Sequence, residues 1–286
     1  MTLSAAPPAA AAAAAPAAPP LCAPLSDASA ARNPGVGWAL RKRDKQLLYP
    51  PWLEGAWRVR ARFEGAAFPL GNRFISKTVP GALKASMAVT LPDVGAAMDR
   101  ELTFDQRFAA SPEQGGVVAD RVFNTRQVMD AFLGYPAVTG VTYDPLENPT
   151  RMAVVWSTPR KDASQQSADL RKAEVFINNR GSSGFDGDGG GNQGGGASPF
   201  CCFELYRQVT QARQQGAVSD YASWWEFRLE GSAGTSEAGG GGVGGSQRVA
   251  VRQRVAAFLQ PQDPLYFEAG DRAVAVYDYT YAYERA

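Results

Sequence analysis

The chain has 286 residues and a net charge of +1, with 29 Lys and Arg against 28 Asp and Glu and no histidine. This balance lacks the basic excess with which nucleic-acid-binding proteins neutralise phosphates. The missing histidine excludes Ser-His-Asp and Cys-His catalytic sites and His-ligated zinc or haem. We therefore predict a protein that is not an enzyme, carries no cofactor and binds no nucleic acid. Catalysis by carboxylates and tyrosines remains the alternative.

The first 46 residues lack the pattern of a folded domain. Residues 1–31 consist mostly of Ala, Pro and Ser, a composition that cannot bury a core. We predict that 1–46 form a disordered leader or a targeting segment such as a transit peptide. Within it, Ala28-Ser29-Ala30 resembles a small-residue cleavage site.

The three cysteines do not predict a disulfide framework. Cys201 and Cys202 are adjacent, so they are expected on opposite faces of a strand, and Cys22 lies in the predicted leader. Their spacing also fits no CxxC metal site. We therefore predict neither a structural disulfide nor a bound metal.

From Gly55 onward the chain alternates as a strand with one buried face does. The apolar residues Trp57, Val59, Ala61 and Phe63 alternate with Arg58, Arg60 and Arg62. Because successive strand side chains point to opposite faces, we expect the apolar set to face a core and the arginines to face solvent. Anion binding by the arginines is the alternative interpretation.

Further segments of strand length follow, separated by turn residues, at 84–91, 102–108, 152–158, 170–178, 200–209, 224–229, 248–259 and 273–285. One segment, 120–133, has helical spacing and is followed by Gly134. This pattern predicts an all-β fold, an antiparallel lipocalin-like up-and-down barrel of about 8–10 strands. The barrel occupies 47–286, with Gly-rich loop insertions at 181–198 and 231–246. No apolar run of about 18 residues predicts a transmembrane span.

The motif Gly55-Ala56-Trp57 at the start of the first strand is similar to the entry motif of lipocalins. In that family the Trp plugs the closed end of the barrel, and an Arg near the last strand packs over it. The resemblance implies that Trp57 is such a plug and that Arg272 or Arg285 covers it.

A longer resemblance covers about residues 48–285. It rests on Tyr49-Pro50-Pro51-Trp52-Leu53-Glu54-Gly55-Ala56-Trp57, Pro69-Leu70-Gly71, Gly134-Tyr135-Pro136, Asn148-Pro149-Thr150 and Gln253-Arg254-Val255. These motifs are similar to an uncharacterised domain family of cyanobacteria and plastids with a lipocalin-like fold. The resemblance implies a location in the chloroplast, and in the thylakoid lumen for some members. It implies no activity, because none is established for that family.

The last strand carries a stripe of tyrosines on one face, at Tyr277, Tyr279, Tyr281 and Tyr283. Facing the barrel interior, these rings and hydroxyls would form a wall suited to a lipid, a pigment or a quinone. Cross-strand packing and a partner surface are the alternatives. The residues that we predict to bind a ligand are Trp57, Phe104, Arg254, Tyr277, Tyr279 and Tyr281.

Arg254 lies on a strand whose two faces are both partly apolar, so a buried Arg254 needs a carboxylate partner. Candidate partners at similar mid-strand positions are Glu174, Glu204 and Glu226. Such a pair would either specify the fold or anchor a ligand head group. The adjacent Trp224 and Trp225 must occupy opposite faces, so one of them is a candidate exposed contact for a membrane or a partner.

The leading functional hypothesis is a non-enzymatic, thylakoid-associated plastid protein that encloses a hydrophobic or amphipathic ligand. The second is an interaction or assembly factor for a photosynthetic membrane complex. A barrel packed solid by aromatic side chains would count against the first hypothesis. An exposed apolar patch of several hundred Å² would favour the second.

Overall fold

The computed structural model describes residues 21–35, 46–81, 88–89, 101–159, 169–183, 199–212, 215–230 and 247–286. These residues form a ten-stranded antiparallel sheet that curls like part of a barrel. The strands are β1 Gly55–Ala67, β2 Glu101–Ser111, β3 Gly116–Ala119, β4 Val138–Asp144, β5 Asn148–Thr158, β6 Asp169–Ser182, β7 Phe200–Ala212, β8 Gln215–Glu230, β9 Arg248–Phe258 and β10 Ala275–Arg285. The helices are α1 Ala23–Ser26, α2 Arg121–Leu133 and α3 Tyr266–Ala269. The predicted all-β, barrel-like fold is confirmed.

The sheet is a meander whose order is β3-β2-β1-β10-β9-β8-β7-β6-β5-β4, so that β10 returns to pair with β1. Helix α2 connects the edge strands β3 and β4 and packs against β2 and β4. It begins after Asp120, whose side chain accepts the amide of Phe123, and ends at Gly134, which has a φ of 80°. These are standard signals for the start and end of a helix. The helix predicted over 120–133 is confirmed.

Strand β1 has the two faces that its sequence predicts. Trp57 and Val59 are fully buried, whereas the arginines between the apolar positions face solvent. Arg60 lies 3.2 Å from Glu284 and Arg62 lies 3.7 Å from Glu101, across neighbouring strands. Exposed ion pairs of this kind contribute about 0–1 kcal/mol each. The arginine stripe is therefore a solvated outer face.

Trp57 closes the end of the sheet where β1 begins. Its indole Nε1 donates a hydrogen bond to the carbonyl of Leu53 at 2.7 Å. The guanidinium of Arg285 lies 4.7 Å from the centre of the Trp57 ring. Arg272 instead donates to the carbonyl of Ala269 at 3.0 Å. Of the two arginines expected to cover the plug, Arg285 is the one that does so.

Gly55 is placed where any side chain would disturb this plug. Its φ is 122°, and a Cβ atom there would collide with the guanidinium of Arg285. We expect Gly55→Ala to destabilise the protein by about 1–3 kcal/mol, because the backbone is strained and Arg285 must leave Trp57. Urea unfolding followed by tryptophan fluorescence measures the change.

Gly140→Ala is the matched control for this substitution. Gly140 lies in β4, and a Cβ atom there would meet nothing within 4 Å. We expect its unfolding free energy to stay within about 0.5 kcal/mol of the original. Similar losses of unfolding free energy for Gly55→Ala and Gly140→Ala would contradict the claim that backbone strain and the contact with Arg285 require a glycine at position 55.

An N-terminal strap, defined as residues 21–35, packs across the outer face of the sheet. Leu25 and Ala31 are buried there against an outer cluster made of Phe203, Leu205, Ala222, Trp224, Ala256, Phe258, Ala273 and Val276. Cys22 of the strap forms a disulfide with Cys201 of β7, 179 residues away. The prediction of no structural disulfide was therefore wrong. The predicted leader, 1–46, contains a packed segment.

Two arginines of β9 bind the backbone of the strap. Arg254 donates to the carbonyl of Pro24 at 2.6 Å, and Arg252 donates to the carbonyl of Leu25 at 2.9 Å. These donors satisfy carbonyl groups that the strap cannot pair within a sheet. The strap is thus held by a covalent bond, by apolar contacts and by hydrogen bonds.

The strap also affects the exposure of the two adjacent tryptophans, Trp224 and Trp225. Trp224 points to the outer face, where the strap leaves it only 4% exposed. Trp225 points to the inner face and packs against the core. Neither tryptophan is therefore the exposed contact for which one of them was a candidate, because Trp224 is covered by a segment that was predicted to be unpacked and Trp225 packs against the core.

Some sequence predictions concern residues that are only partly described. The predicted strand at 84–91 lies outside the described residues except for Ala88 and Val89. The Gly-rich insertions lie outside them at 184–198 and 231–246. Two observed strands, β3 and β4, were not predicted. Within the described part of the chain, no helix has the length and apolar character needed to cross a bilayer.

A candidate ligand cavity beside a buried ion cluster

The inner face of the sheet carries a buried polar group centred on Glu204 of β7. Its Oε1 accepts a hydrogen bond from Nη2 of Arg121 at 2.5 Å, and its Oε2 accepts one from the hydroxyl of Tyr206 at 2.6 Å. Nε of Arg180 lies 3.7 Å from Oε1. The side chains of Arg121, Arg180 and Glu204 are 11%, 5% and 2% exposed. We call these four residues the ion cluster.

Elements far apart in sequence bring the ion cluster together. Arg121 is the first residue of α2, the helix that links the two edges of the sheet. Arg180 of β6 lies opposite Glu204 of β7. A bulge between Ile177 and Asn179 shifts the alternation of β6 by one residue. Because of this bulge, Arg180 points inward, where an unbroken strand would have pointed it outward.

The carboxylate of Glu204 faces two arginines, Arg121 and Arg180. Burial raises the pKa of Glu204, but the charges of Arg121 and Arg180, together with hydrogen bonds from Arg121 and Tyr206, outweigh burial and hold this pKa below its ordinary 4.5. Burial lowers the pKa of Arg121, yet Glu204, Tyr143, Tyr206 and Tyr49 together outweigh burial and leave this pKa well above its ordinary value. Burial, aided by Glu204, raises the pKa of the Tyr206 hydroxyl. Near neutral pH, Glu204 is ionised and Tyr206 is protonated.

A cavity of about 120 Å³ lies between α2 and the inner face of the sheet. Arg121, Glu204 and Tyr206 form part of its wall. Much of the remaining wall is aromatic or apolar and includes Tyr49, Phe104, Phe108, Val128, Met152, Trp225, Phe227, Tyr281 and Tyr283. The cavity therefore joins a charged guanidinium group to an aromatic surface.

The polar groups of the aromatic wall are paired with one another. The hydroxyl of Tyr283 donates to Oε1 of Gln106 at 2.7 Å, and the hydroxyl of Tyr281 donates to Oε1 of Gln253. By contrast, Nε of Arg121 is buried and has no hydrogen-bond partner within the described part of the chain. Arg121 is thus a wall residue with a buried, unused donor.

The structure separates the six predicted ligand-binding residues into three groups. Phe104 and Tyr281 line the cavity. Three others face inward but pack in the core away from it, namely Trp57, Tyr277 and Tyr279. The tyrosine stripe is therefore an inner wall. Within the stripe, Tyr281 and Tyr283 reach the cavity.

Arg254, the sixth predicted residue, lies on the outer face. Its Nε and Nη2 donate to the two carboxylate oxygens of Asp278 at 2.6 and 2.8 Å. The register of β9 turns Gln253 inward and Arg254 outward, which corrects the prediction of an interior anchor. Arg254 does pair with a carboxylate, but the pair lies on the outer face, and its partner, Asp278, is none of the three glutamates proposed from the sequence.

Arg121 is a residue of the candidate site that the sequence did not reveal. It lies 83 residues from Glu204, and in the sequence it is one polar residue at the start of a helix. Glu204 was recognised as a mid-strand carboxylate that could pair with an arginine, but its partners were not. Among the described residues, no group of three His, Cys, Asp or Glu side chains is arranged to hold a metal ion.

A family model described as a domain of unknown function, DUF6816, matches residues 43–286. The matched region contains all ten strands, α2 and the ion cluster, whereas the strap lies before it. No curated protein and no solved structure matches the chain.

Proposed function

The chain belongs to the DUF6816 family, whose function is unknown, and we propose that it is a non-enzymatic protein that binds a small amphipathic molecule inside the curled sheet. The cavity beside Arg121 carries this proposal, since it places an aromatic wall next to a buried charge. Burial of apolar ligand surface at roughly 25 cal/mol per Å² would drive binding. The polar groups would orient the ligand.

The size of the cavity restricts the ligand. Its volume of about 120 Å³ is well below the roughly 300–1,000 Å³ of sites for drug-sized molecules. Among the ligand types expected from the sequence, a pigment or a quinone is a poor match for this volume. A short lipid-like chain with one polar end is a better match, and we propose a ligand of that kind.

The state of the ion cluster supports binding rather than catalysis. A general acid or base works best when its pKa lies near the working pH. The pKa of Glu204 is held below its ordinary value, while the pKa values of Tyr206 and Cys202 are raised well above theirs, chiefly by burial. None of these groups is therefore poised to exchange a proton near neutral pH.

We also propose a location in the thylakoid lumen of a plastid. Disulfides persist in oxidising compartments, and the bond between Cys22 and Cys201 supports a compartment of that kind. The contact of Arg285 with Trp57 supports the lipocalin-like relationship that the sequence motifs imply.

Hexan-1-ol is a suitable probe for the binding function, because it combines a short apolar chain with one polar group. We expect an NMR titration of the full chain to give saturable amide shifts around α2 and β10. Val128 lies in the cavity wall and is 7% exposed. Val128→Phe should fill the cavity and weaken binding at least about tenfold, because the ligand loses its buried apolar contacts.

Leu170→Phe is the matched control, since it adds a ring at a residue that is 62% exposed. It should bind hexan-1-ol as the original protein does. Circular dichroism checks that both variants fold, because overpacking at Val128 costs about 1–3 kcal/mol. The proposal fails if the original protein gives no saturable shifts, or if folded Val128→Phe binds as tightly as the control.

A further inference from the structure

The N-terminal strap is attached to the strand that carries the centre of the ion cluster. Cys201 of β7, which forms the disulfide with Cys22 of the strap, lies three residues before Glu204. Because side chains alternate along a strand, Cys201 belongs to the outer face and Glu204 to the inner face. The same short stretch of β7 therefore holds the strap on one face and forms part of the cavity wall on the other.

A second contact joins the strap to the ion cluster through the buried side chain of Asn179 in β6. Its Nδ2 donates to the carbonyl of Pro34 in the strap at 2.8 Å, and its Oδ1 accepts the backbone amide of Arg180 at 2.9 Å. In the pairing of β6 with β7, Asn179 lies opposite Leu205 of the outer cluster, and Arg180 lies opposite Glu204. One side chain thus bonds both to the strap and to the backbone of a member of the ion cluster.

The contact with Pro34 holds the bulge of β6 in the register that the ion cluster requires. The bulge between Ile177 and Asn179 turns Asn179 outward and Arg180 inward, and a slip of one residue would reverse both directions. While the strap is in place, the carbonyl of Pro34 keeps the side chain of Asn179 on the outer face. When the strap leaves, this outer restraint on the bulge is lost, and the wall beside Glu204 becomes less fixed.

We infer that the disulfide is a redox switch for the cavity, so that reduction of Cys22–Cys201 by a dithiol weakens binding of the small amphipathic ligand. A thiolate of the dithiol attacks the sulfur of Cys22, which is partly exposed, whereas Cys201 is buried. The S–S bond breaks, Cys201 leaves as a thiolate and takes up a proton, and the second thiol of the reductant then releases Cys22. Two electrons and two protons pass to the cysteines, and the dithiol becomes a disulfide. This inference rests on the proposed binding function and adds its regulation.

Binding of hexan-1-ol to the oxidised and the reduced protein tests the switch. Isothermal titration of the full chain should show binding at least about fivefold weaker after reduction with dithiothreitol, since coupling between two sites ordinarily changes affinity about 5–150-fold. The coupling is reciprocal. In mixtures of reduced and oxidised dithiothreitol, saturating hexan-1-ol should therefore lower the equilibrium constant for reduction of Cys22–Cys201 by the same factor. Circular dichroism shows whether the reduced protein stays folded.

Asn179→Ala tests the route of the coupling, because it removes the bond to Pro34 and leaves the disulfide intact. Oxidised Asn179→Ala should bind hexan-1-ol about as weakly as the reduced original protein, and reduction should weaken its binding little further. Asn178→Ala is the matched control, since Asn178 is the preceding residue and is exposed. This control should keep the full response to dithiothreitol. A substitution that only destabilised the protein would not remove that response.

The outcomes are distinguishable. Equal affinities of the folded oxidised and reduced protein for hexan-1-ol overturn the switch and leave the binding function standing. Absence of binding in both redox states overturns both. A full response to dithiothreitol in Asn179→Ala overturns the route through Asn179. If the reduced protein does not fold, the oxidised variants decide, and equal affinities of Asn179→Ala and Asn178→Ala overturn the inference.

Discussion

Glu204→Gln should destabilise the protein by about 3–5 kcal/mol, because it removes one partner of a buried ion group. The substitution keeps the shape of the side chain but removes the carboxylate charge that lies 2.5 Å from the buried guanidinium of Arg121. Urea unfolding at neutral pH measures the loss. Arg121→Gln should also be costly, since it leaves Glu204 with the more distant Arg180. The double variant Arg121→Gln/Glu204→Gln should lose less than the sum of the two single changes.

Glu284→Gln is the matched control. Glu284 also lies near two arginines, with Arg60 at 3.2 Å and Arg248 at 3.7 Å, but it occupies the exposed outer face. Removing its charge should cost less than about 1 kcal/mol. The comparison isolates the effect of burial. Equal losses of unfolding free energy for Glu204→Gln and Glu284→Gln would show that the buried ion cluster contributes no more to stability than an exposed ion pair.

Glu204 gives the stability of the protein a defined pH dependence. The pKa of Glu204 in the folded protein lies below its ordinary value of 4.5. Its contribution to stability is therefore present above about pH 4.5 and is lost as the pH falls through the folded-state pKa. We expect the stability difference between the original protein and Glu204→Gln to shrink on acidification. A difference that stays constant to about pH 3 would contradict this account.

Cys22→Ser should destabilise the protein by about 2–5 kcal/mol, because the disulfide restricts the unfolded chain across a separation of 179 residues. It should also loosen the strap, which then depends on its apolar contacts and on Arg252 and Arg254. Hydrogen exchange measured by mass spectrometry should rise over residues 23–33, and urea unfolding gives the loss of stability. Reduction of the original protein should reproduce both effects.

Cys202→Ala serves as the control for the disulfide. Cys202 is buried on the inner face and is not part of a disulfide. Its replacement leaves the bond of Cys22 intact, so hydrogen exchange of the strap should not change. A reductant should have no further effect on Cys22→Ser. Unchanged exchange of the strap after loss of the disulfide would show that the other contacts hold it unaided.

The elements that the sequence predicts well have strong local signals. The alternation from Trp57 to Phe63 requires one buried face, and the helix at 120–133 has a cap at Asp120 and a terminating Gly134. Strand β3 has four residues, and β4 contains Gly140 and few apolar positions. Neither produces a periodic pattern long enough to detect.

The candidate site was harder to predict, because its contacts join distant parts of the chain. Alternation placed the tyrosines of β10 on one face but could not say which face is inner. In β9, both faces are apolar because the strap covers the outer one, so the sequence did not show that Arg254 points outward. The bulge that turns Arg180 inward has no clear local signal. The pairing of Arg121 with Glu204 depends on how the whole sheet places α2 against β7, 83 residues further along the chain.

The position of the strap sets the useful limits of an expression fragment. A fragment cut at residue 43, where the family match begins, would lack the strap and would uncover Phe203, Trp224, Phe258 and Val276. It would also carry an unpaired thiol at Cys201. An apolar patch next to a reactive thiol promotes aggregation and crosslinking between molecules. Recombinant work on the sheet therefore needs a chain that begins before Leu21, purified without reductant.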